Sequence, residues 1–257
     1  MSTLNTREPV GSMRSDVHSP AVRVLDFDPD LGAGIDPAEW QAAVAMAVAP
    51  EFNFERGRWE FSPRPERGGF GALILDGLIL IRIDAGGRSH IEMLGEGDVV
   101  SPWVGTGPEL STPSVLSASV VSQARVALLD RRFALRTARW PEIHAALIQR
   151  CIERSRRLSL QSAINALPRI EERVEVTLWA LADRFGRVTP DGIVMDLPIS
   201  HSQLADIVAA QRPSVSTAVV RLEEHGRLAR VARRTWLLRG APPEMLTSLA
   251  RQTGLEA

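Results

Sequence analysis

The sequence predicts an α+β chain in three parts: an N-terminal antiparallel β-roll, a long central helix, and two short helices closed by a hairpin. Three observations carry this. Between Glu51 and Leu129, short apolar segments alternate with Gly, Asp and Pro turns. From about Arg132 to Leu167, apolar residues recur at three- and four-residue steps. From Ser200 onward come a capping box, a tight turn, a second apolar-striped helix and a two-stranded hairpin.

Composition narrows the class. At 257 residues, with 44% hydrophobic and 24% charged, the chain has material for one or two globular domains. The longest apolar runs, Ala42–Ala49 and Leu73–Ile83, fall short of the roughly 18–20 residues needed to cross a bilayer, and no signal segment follows Met1. The expectation is a soluble, cytoplasmic protein with no membrane partner. One cysteine, Cys151, excludes an internal disulfide, a four-cysteine iron–sulfur site and a cysteine-rich zinc site.

The formal net charge of -1 conceals a gradient, and every one of the 30 basic residues is Arg. Residues 1–129 carry 10 Arg against 17 acidic residues, whereas 130–168 carry 8 against 3 and 199–240 carry 7 against 3. An acidic front and a locally basic back suggest a sensor joined to a part that binds a polyanion.

The elements follow in order. Residues 1–21 are polar and rich in Ser, Thr, Pro and Gly, and read as a disordered tail. Asp36-Pro37-Ala38-Glu39 reads as a helix start, with the helix running through Trp40 to about Ala49. In the roll, Asp76-Gly77 between two apolar runs is the strongest hairpin signal, and Gly86-Gly87 and Gly95-Glu96-Gly97-Asp98 punctuate the rest. The helical stretch 132–168 should break near Trp140-Pro141. In it Ile143, Leu147, Cys151, Arg154, Leu158 and Gln161 have the spacing of a two-helix seam, so it reads as a dimerisation helix. The competing reading is a helix lying on its own domain. Ile170, Val174, Thr177, Leu178, Leu181 and Phe185 mark a further helix closed by Gly186, and a strand follows the Pro190-Asp191-Gly192 turn.

Ser200-His201-Ser202-Gln203 is a capping box that opens a helix with Leu204, Ala205, Ile207 and Val208 inward. After Ala209-Ala210-Gln211, a second helix runs from Arg212 to Gly226. Leu204, Val208, Val215 and Ala218 fall where a helix-turn-helix needs its internal contacts. Leu228–Val231 and Arg234–Leu238 read as a wing. This is a winged helix-turn-helix, a unit that places its second helix in a DNA major groove.

The stretches LADRFG, ISHSQLADIVAAQRPSVSTAVVRLEEHG and TWLL resemble the C-terminal domain of the CRP/FNR family of bacterial transcription regulators. GALILDGLILIRI, IEMLGEGDVV and RVALLDRRFA resemble that family's cyclic-nucleotide-binding-type β-roll and its outgoing dimer helix. The resemblance covers roughly residues 50–240. It implies a sensor roll with leading helix (22–131), a dimerisation helix (132–168), a DNA-binding domain (169–240) and a C-terminal tail (241–257). It further implies a homodimer on a near-palindromic site of double-stranded DNA, with RNA polymerase as a partner.

At the DNA face, Arg212 opens the second helix and can donate two hydrogen bonds to guanine O6 and N7. It matches the family's guanine-reading arginine. Pro213 stands where many relatives carry Glu and Thr217 where many carry Arg, so the half-site should differ from that of the cyclic-AMP receptor. Ser214 and Thr217 are candidates for bases or phosphates, with Ser216 more remote. His201, Ser202, Arg221, Arg233 and Arg234 are candidates for the DNA backbone.

Relatives that bind a cyclic nucleotide carry a short Gly-Glu helix and an Arg-Ser or Arg-Thr pair. This chain reads GDVVSPWVGTGPELSTPSVLSASVV, and between Arg88 and Arg125 its only basic group is His90. An unpartnered buried phosphate is costly, so cyclic AMP is not the expected effector. A cyclic-nucleotide-responsive regulator of the same family is the alternative. Trp103 and the Pro-, Ser- and Thr-rich segment 101–119 could line a pocket for a neutral or apolar ligand or form an irregular loop capping the roll. No cofactor, metal or catalytic residue is expected. A cupin-like metalloenzyme would need clustered His and carboxylate ligands, and His90 with Glu92 is one thin pair.

Overall fold

The computed structural model describes residues 20–59, 68–101, 114–232 and 234–243. The expected disordered tail, apart from its last two residues, the segment around Trp103, Arg233 and most of the C-terminal tail lie outside these. The front half is a six-stranded antiparallel sheet rolled on itself: β1 (Ala21–Arg23), β2 (Val48–Trp59), β3 (Gly71–Ala85), β4 (Arg88–Leu94), β5 (Val99–Val100) and β6 (Val115–Leu129). The order is β1-β2-β6-β3-β4, with β5 on β3.

The expected hairpin at Asp76-Gly77 does not form. β3 runs straight through it, and the register against β6 shifts on either side of the pair. Gly77 has φ +93, and a Cβ there would collide with the Gln123 carbonyl of β6. The glycine is therefore needed for a bulge and a close backbone approach. The chain reverses instead at Gly86-Gly87, both at positive φ, joining the Ala85–Arg88 pair of β3 and β4. The strands are consequently fewer and longer than the turn signals imply.

Ahead of the sheet, α1 (Val24–Phe27) and a 3-10 turn (Pro29–Gly32) lead to α2 (Trp40–Met46). Asp36 accepts from the Ala38 N–H at 2.9 Å, but it organises a turn rather than capping the helix, whose cap is Glu39. The helix stops at Met46, short of the expected Ala49, because Val48 and Ala49 already pair with β1.

α3 (Arg131–Arg136) and α4 (Pro141–Asn165) are separated at the expected break, with Pro141 in the first turn of α4. Ile143 and Leu147 are fully buried against Leu25, Leu73 and Phe133. Arg154 donates twice to Glu92 at 2.7 Å, and Gln161 reaches Thr177 and the Ile207 carbonyl. Four residues of the expected seam thus face their own chain. The reason is tertiary: Ile143 and Leu147, one turn apart, complete the roll's core, while Arg154 meets a carboxylate of β4 and Gln161 meets polar groups of the C-terminal part. The exposed stripe is a different one, Ala145, Ile148, Ile152, Ser155 and Ser159, again at three- and four-residue steps.

The C-terminal part consists of α5 (Ile170–Phe185), β7 (Gly186–Thr189), β8 (Gly192–Asp196), α6 (His201–Ile207), α7 (Arg212–Glu224), β9 (Leu228–Ala232) and β10 (Thr235–Leu238). The expected two-stranded wing is half of a four-stranded sheet ordered β7-β8-β10-β9. Its core is continuous with the roll: Leu80, Ile91 and Met93 share one apolar cluster with Leu178, Leu204, Val215 and Trp236. Polar ties reinforce the joint. Asp98 is 5% exposed and accepts from the Gly95 N–H at 2.9 Å, from Arg157 of α4 at 2.5 Å, and from Arg184 of α5.

Candidate nucleic-acid interface

The unit is set up by its first four residues. The Ser200 side chain accepts from the Gln203 N–H at 3.2 Å, while Gln203 Oε1 accepts from the Ser200 N–H at 2.8 Å, so α6 starts at a fixed point. Leu204 and Ala205 on α6, with Val208 at its C-terminal cap, meet Val215, Ala218 and Leu222 on α7, all buried as their spacing requires. The turn depends on Ala209, whose φ of +52 makes it the only non-glycine residue at positive φ among those described. Its backbone turn then lets α7 begin at Arg212, with Pro213 in the first turn where a missing N–H is harmless.

Packing one face of α7 leaves the other bare. Arg212, Pro213, Thr217, Val220 and Arg221 are exposed, and Ser214 is half-buried. A shallow groove runs along Ser216, Thr217, Val220, Arg221 and Glu224. Among the described residues Arg212 has no carboxylate partner. Arg221 lies 3.9 Å from Glu171, its side chain 61% exposed, so its charge is only loosely matched. Thr217 donates back to the Pro213 carbonyl at 3.1 Å. Ser202 and Arg234 are exposed at the start of α6 and at the wing turn.

His201 and Ser216 are joined rather than free. His201 Nδ1 lies 3.0 Å from Ser216 Oγ, and its Nε2 lies 3.5 Å from Arg230 Nη1. Because a guanidinium only donates, Nε2 accepts, and Nδ1–H is the donor to Ser216. Burial lowers the His201 pKa from its ordinary 6.5, Arg230 and Arg212 lower it further, and Glu223 opposes them. Arg230 is the residue that sequence reasoning missed. It is exposed on β9 with its guanidinium 4.4 Å from the Trp236 ring centre, a stacking that holds the cation beside α7. An Arg directly across the hairpin from a buried Trp was the available signal.

The Crp-like helix-turn-helix domain family matches residues 172–240. The C-terminal unit is a Crp-like helix-turn-helix domain. Over nearly four fifths of its length the chain has the fold of solved CRP/FNR-type regulators. FixK2 from Bradyrhizobium japonicum superposes at TM-score 0.59 with 21% identity, covering 79% of this chain and 97% of that one. TTHB099, a CRP-family transcriptional regulator from Thermus thermophilus, gives 0.52 and 22% over 79% and 96%. CLP, the c-di-GMP responsive global regulator of Xanthomonas campestris, gives 0.54 and 19% over 78% and 100%. A comparison with curated proteins finds no match. The chain thus joins a Crp-like helix-turn-helix domain to a roll with the fold of those structures.

The roll supplies no group of three or more metal-binding side chains among the described residues. No helix among them is long and apolar enough to cross a membrane. The roll's inner core is apolar, made by Trp59, Ile74, Ile79, Ile81, Leu94 and Val120. The arginines that α4 sends to the roll are all matched: Arg150 to Asp28 at 2.7 Å, Arg154 to Glu92, and Arg157 to Asp98. Burial lowers the His90 pKa, with Glu92 opposing, so this imidazole favours its neutral form.

Proposed function

We propose that the chain acts as a homodimer that reads a near-palindromic duplex through α7, under an effector other than cyclic AMP. In this reading residues 22–131 sense, 132–168 dimerise and 169–240 bind DNA. The observation that carries it is Arg212, exposed and without a carboxylate partner among the described residues, at the N-terminal end of a helix whose opposite face is packed. That is the end which meets base edges in a helix-turn-helix. Arg212 reads a guanine; Ser214 and Thr217 contact bases or phosphates. Ser202, Arg221, Arg230, Arg233 and Arg234 neutralise phosphates, and the His201–Ser216 pair sits behind them. RNA polymerase is the partner through which such a bound dimer would act. Against cyclic AMP stands the pairing of Arg150, Arg154 and Arg157 of α4 with Asp28, Glu92 and Asp98, which leaves none of these three free for a phosphate inside the roll.

Selection of bound duplexes from a random pool tests the reading, with an inverted repeat as the expected result. Arg212→Ala should then cost roughly 1–3 kcal/mol on the selected site and relax one base of each half-site. Equal weakening on selected and scrambled DNA would remove the base-reading role. Cyclic AMP should give no calorimetric signal at micromolar concentrations.

A further inference from the structure

The roll's outer face carries an open cavity of mixed lining beneath α6. Its volume is about 450 Å³, within the range of small-molecule sites. Strand register builds it. Arg58, Ser119 and Leu80 stand side by side on β2, β6 and β3, and Ser117, Arg82 and Ile91 form the next row on β6, β3 and β4. Because side chains on one face repeat every second residue, the two rows share one face. Gln203 of α6 overhangs them.

The chemistry of this lining is one-sided. Arg58 has no carboxylate partner among the described residues. Ser117 and Ser119 are half-buried, with no hydrogen-bond partner for their hydroxyls among those residues. The Gln203 carbonyl is held in the capping box, which leaves its amide N–H groups to donate. Arg82 is shared: it pairs with Asp206 of α6 at 2.5 Å and lies 3.9 Å from Asp84. Donors therefore crowd a space whose acceptors sit only at its edge, over an apolar floor of Leu80 and Ile91.

We propose that this cavity is an effector site for a small metabolite bearing a phosphate or carboxylate group, clamped between Arg58 and Arg82 over Ser117 and Ser119. The oxyanion takes Arg82 from Asp206. That ion pair ties α6 to the roll, so ligand occupancy and the placement of the DNA-binding helices are coupled, and the coupling is reciprocal. The regulatory consequence rests on α6 and α7 being the DNA-binding unit; the site itself does not.

Calorimetry on the full chain without DNA keeps the two apart. Inorganic phosphate and citrate are titrated separately at low ionic strength. Heat from phosphate alone assigns a phosphate-bearing effector, and heat from citrate alone a carboxylate. Arg58→Ala should weaken binding about tenfold, since it removes a charge-assisted contact from an exposed position that the fold does not need. Asp206→Asn should tighten it several-fold by freeing Arg82, an effect that a merely sticky surface would not show. No heat from either anion at millimolar concentration, or an affinity that both substitutions leave unchanged, overturns the proposal.

Discussion

Single residues set the helix-turn-helix unit, and two of them are placed at a cost. Ala209 sits at φ +52, where an L side chain is disfavoured by roughly 1–2 kcal/mol. Ala209→Gly should remove that strain and, after glycine's larger unfolded-state entropy is subtracted, stabilise the chain by about 0.5–1 kcal/mol. Urea unfolding checks this, and a loss of stability would show the turn to be unstrained. His201 is the second. Its pKa lies below the ordinary 6.5, mainly through burial and then through Arg230 and Arg212. The folded state therefore binds its proton less readily than the unfolded one. Its contribution to stability is complete above that ordinary value and is lost as pH falls toward the depressed one. Phosphates brought near the ring favour the protonated form, so DNA affinity should rise as pH falls from about 7.5 to 5.5. Anisotropy titrations should show this slope in the parent chain and a flatter one in His201→Gln.

Among the elements, α4 has two apolar stripes with different partners. Ile143 and Leu147 are fully buried, whereas Ile148 and Ile152 are 54% and 42% exposed. In the proposed homodimer the second stripe is the one that meets the partner chain. Ile148→Glu with Ile152→Glu should shift the sedimentation of the chain from dimer to monomer at micromolar concentration without lowering its melting cooperativity. Leu147→Ala should do the reverse, costing roughly 2–5 kcal/mol of stability while leaving association intact. Loss of the dimer in the second variant and not the first would return the seam to the face we assign to the roll.

Across the whole molecule, the roll and the Crp-like domain are one packed body. The cluster holding Leu80, Ile91 and Met93 with Leu178 and Trp236 crosses the joint, and Asp98 binds a cation from each of α4 and α5. Removing one member of such a network strands its partners. Asp98→Asn should cost about 2 kcal/mol, less than the roughly 3–5 of a fully buried pair because both guanidiniums keep some contact with water. Denaturant unfolding followed by tryptophan emission checks it; a loss below about 0.5 kcal/mol would mean that the Asp98 network does not hold the joint.

The residues themselves determined whatever is encoded within a few turns of chain. The capping box at Ser200–Gln203, the break at Trp140-Pro141, the wing and the exposed Arg212 are all local, because caps, proline geometry and helical period act over three or four residues. Asp76-Gly77 marks the limit. Its signal is the same for a hairpin and for a bulge, and the presence of β6 across from it selected the bulge. The choice of stripe on α4 was likewise out of local reach, since both repeat at helical spacing and only the roll's unfilled core distinguishes them. The cavity under α6 is the extreme case. Arg58, Arg82, Ser117, Ser119 and Gln203 come from three strands and a helix; strand register aligns the first four, and the packing of α6 on the roll adds the fifth.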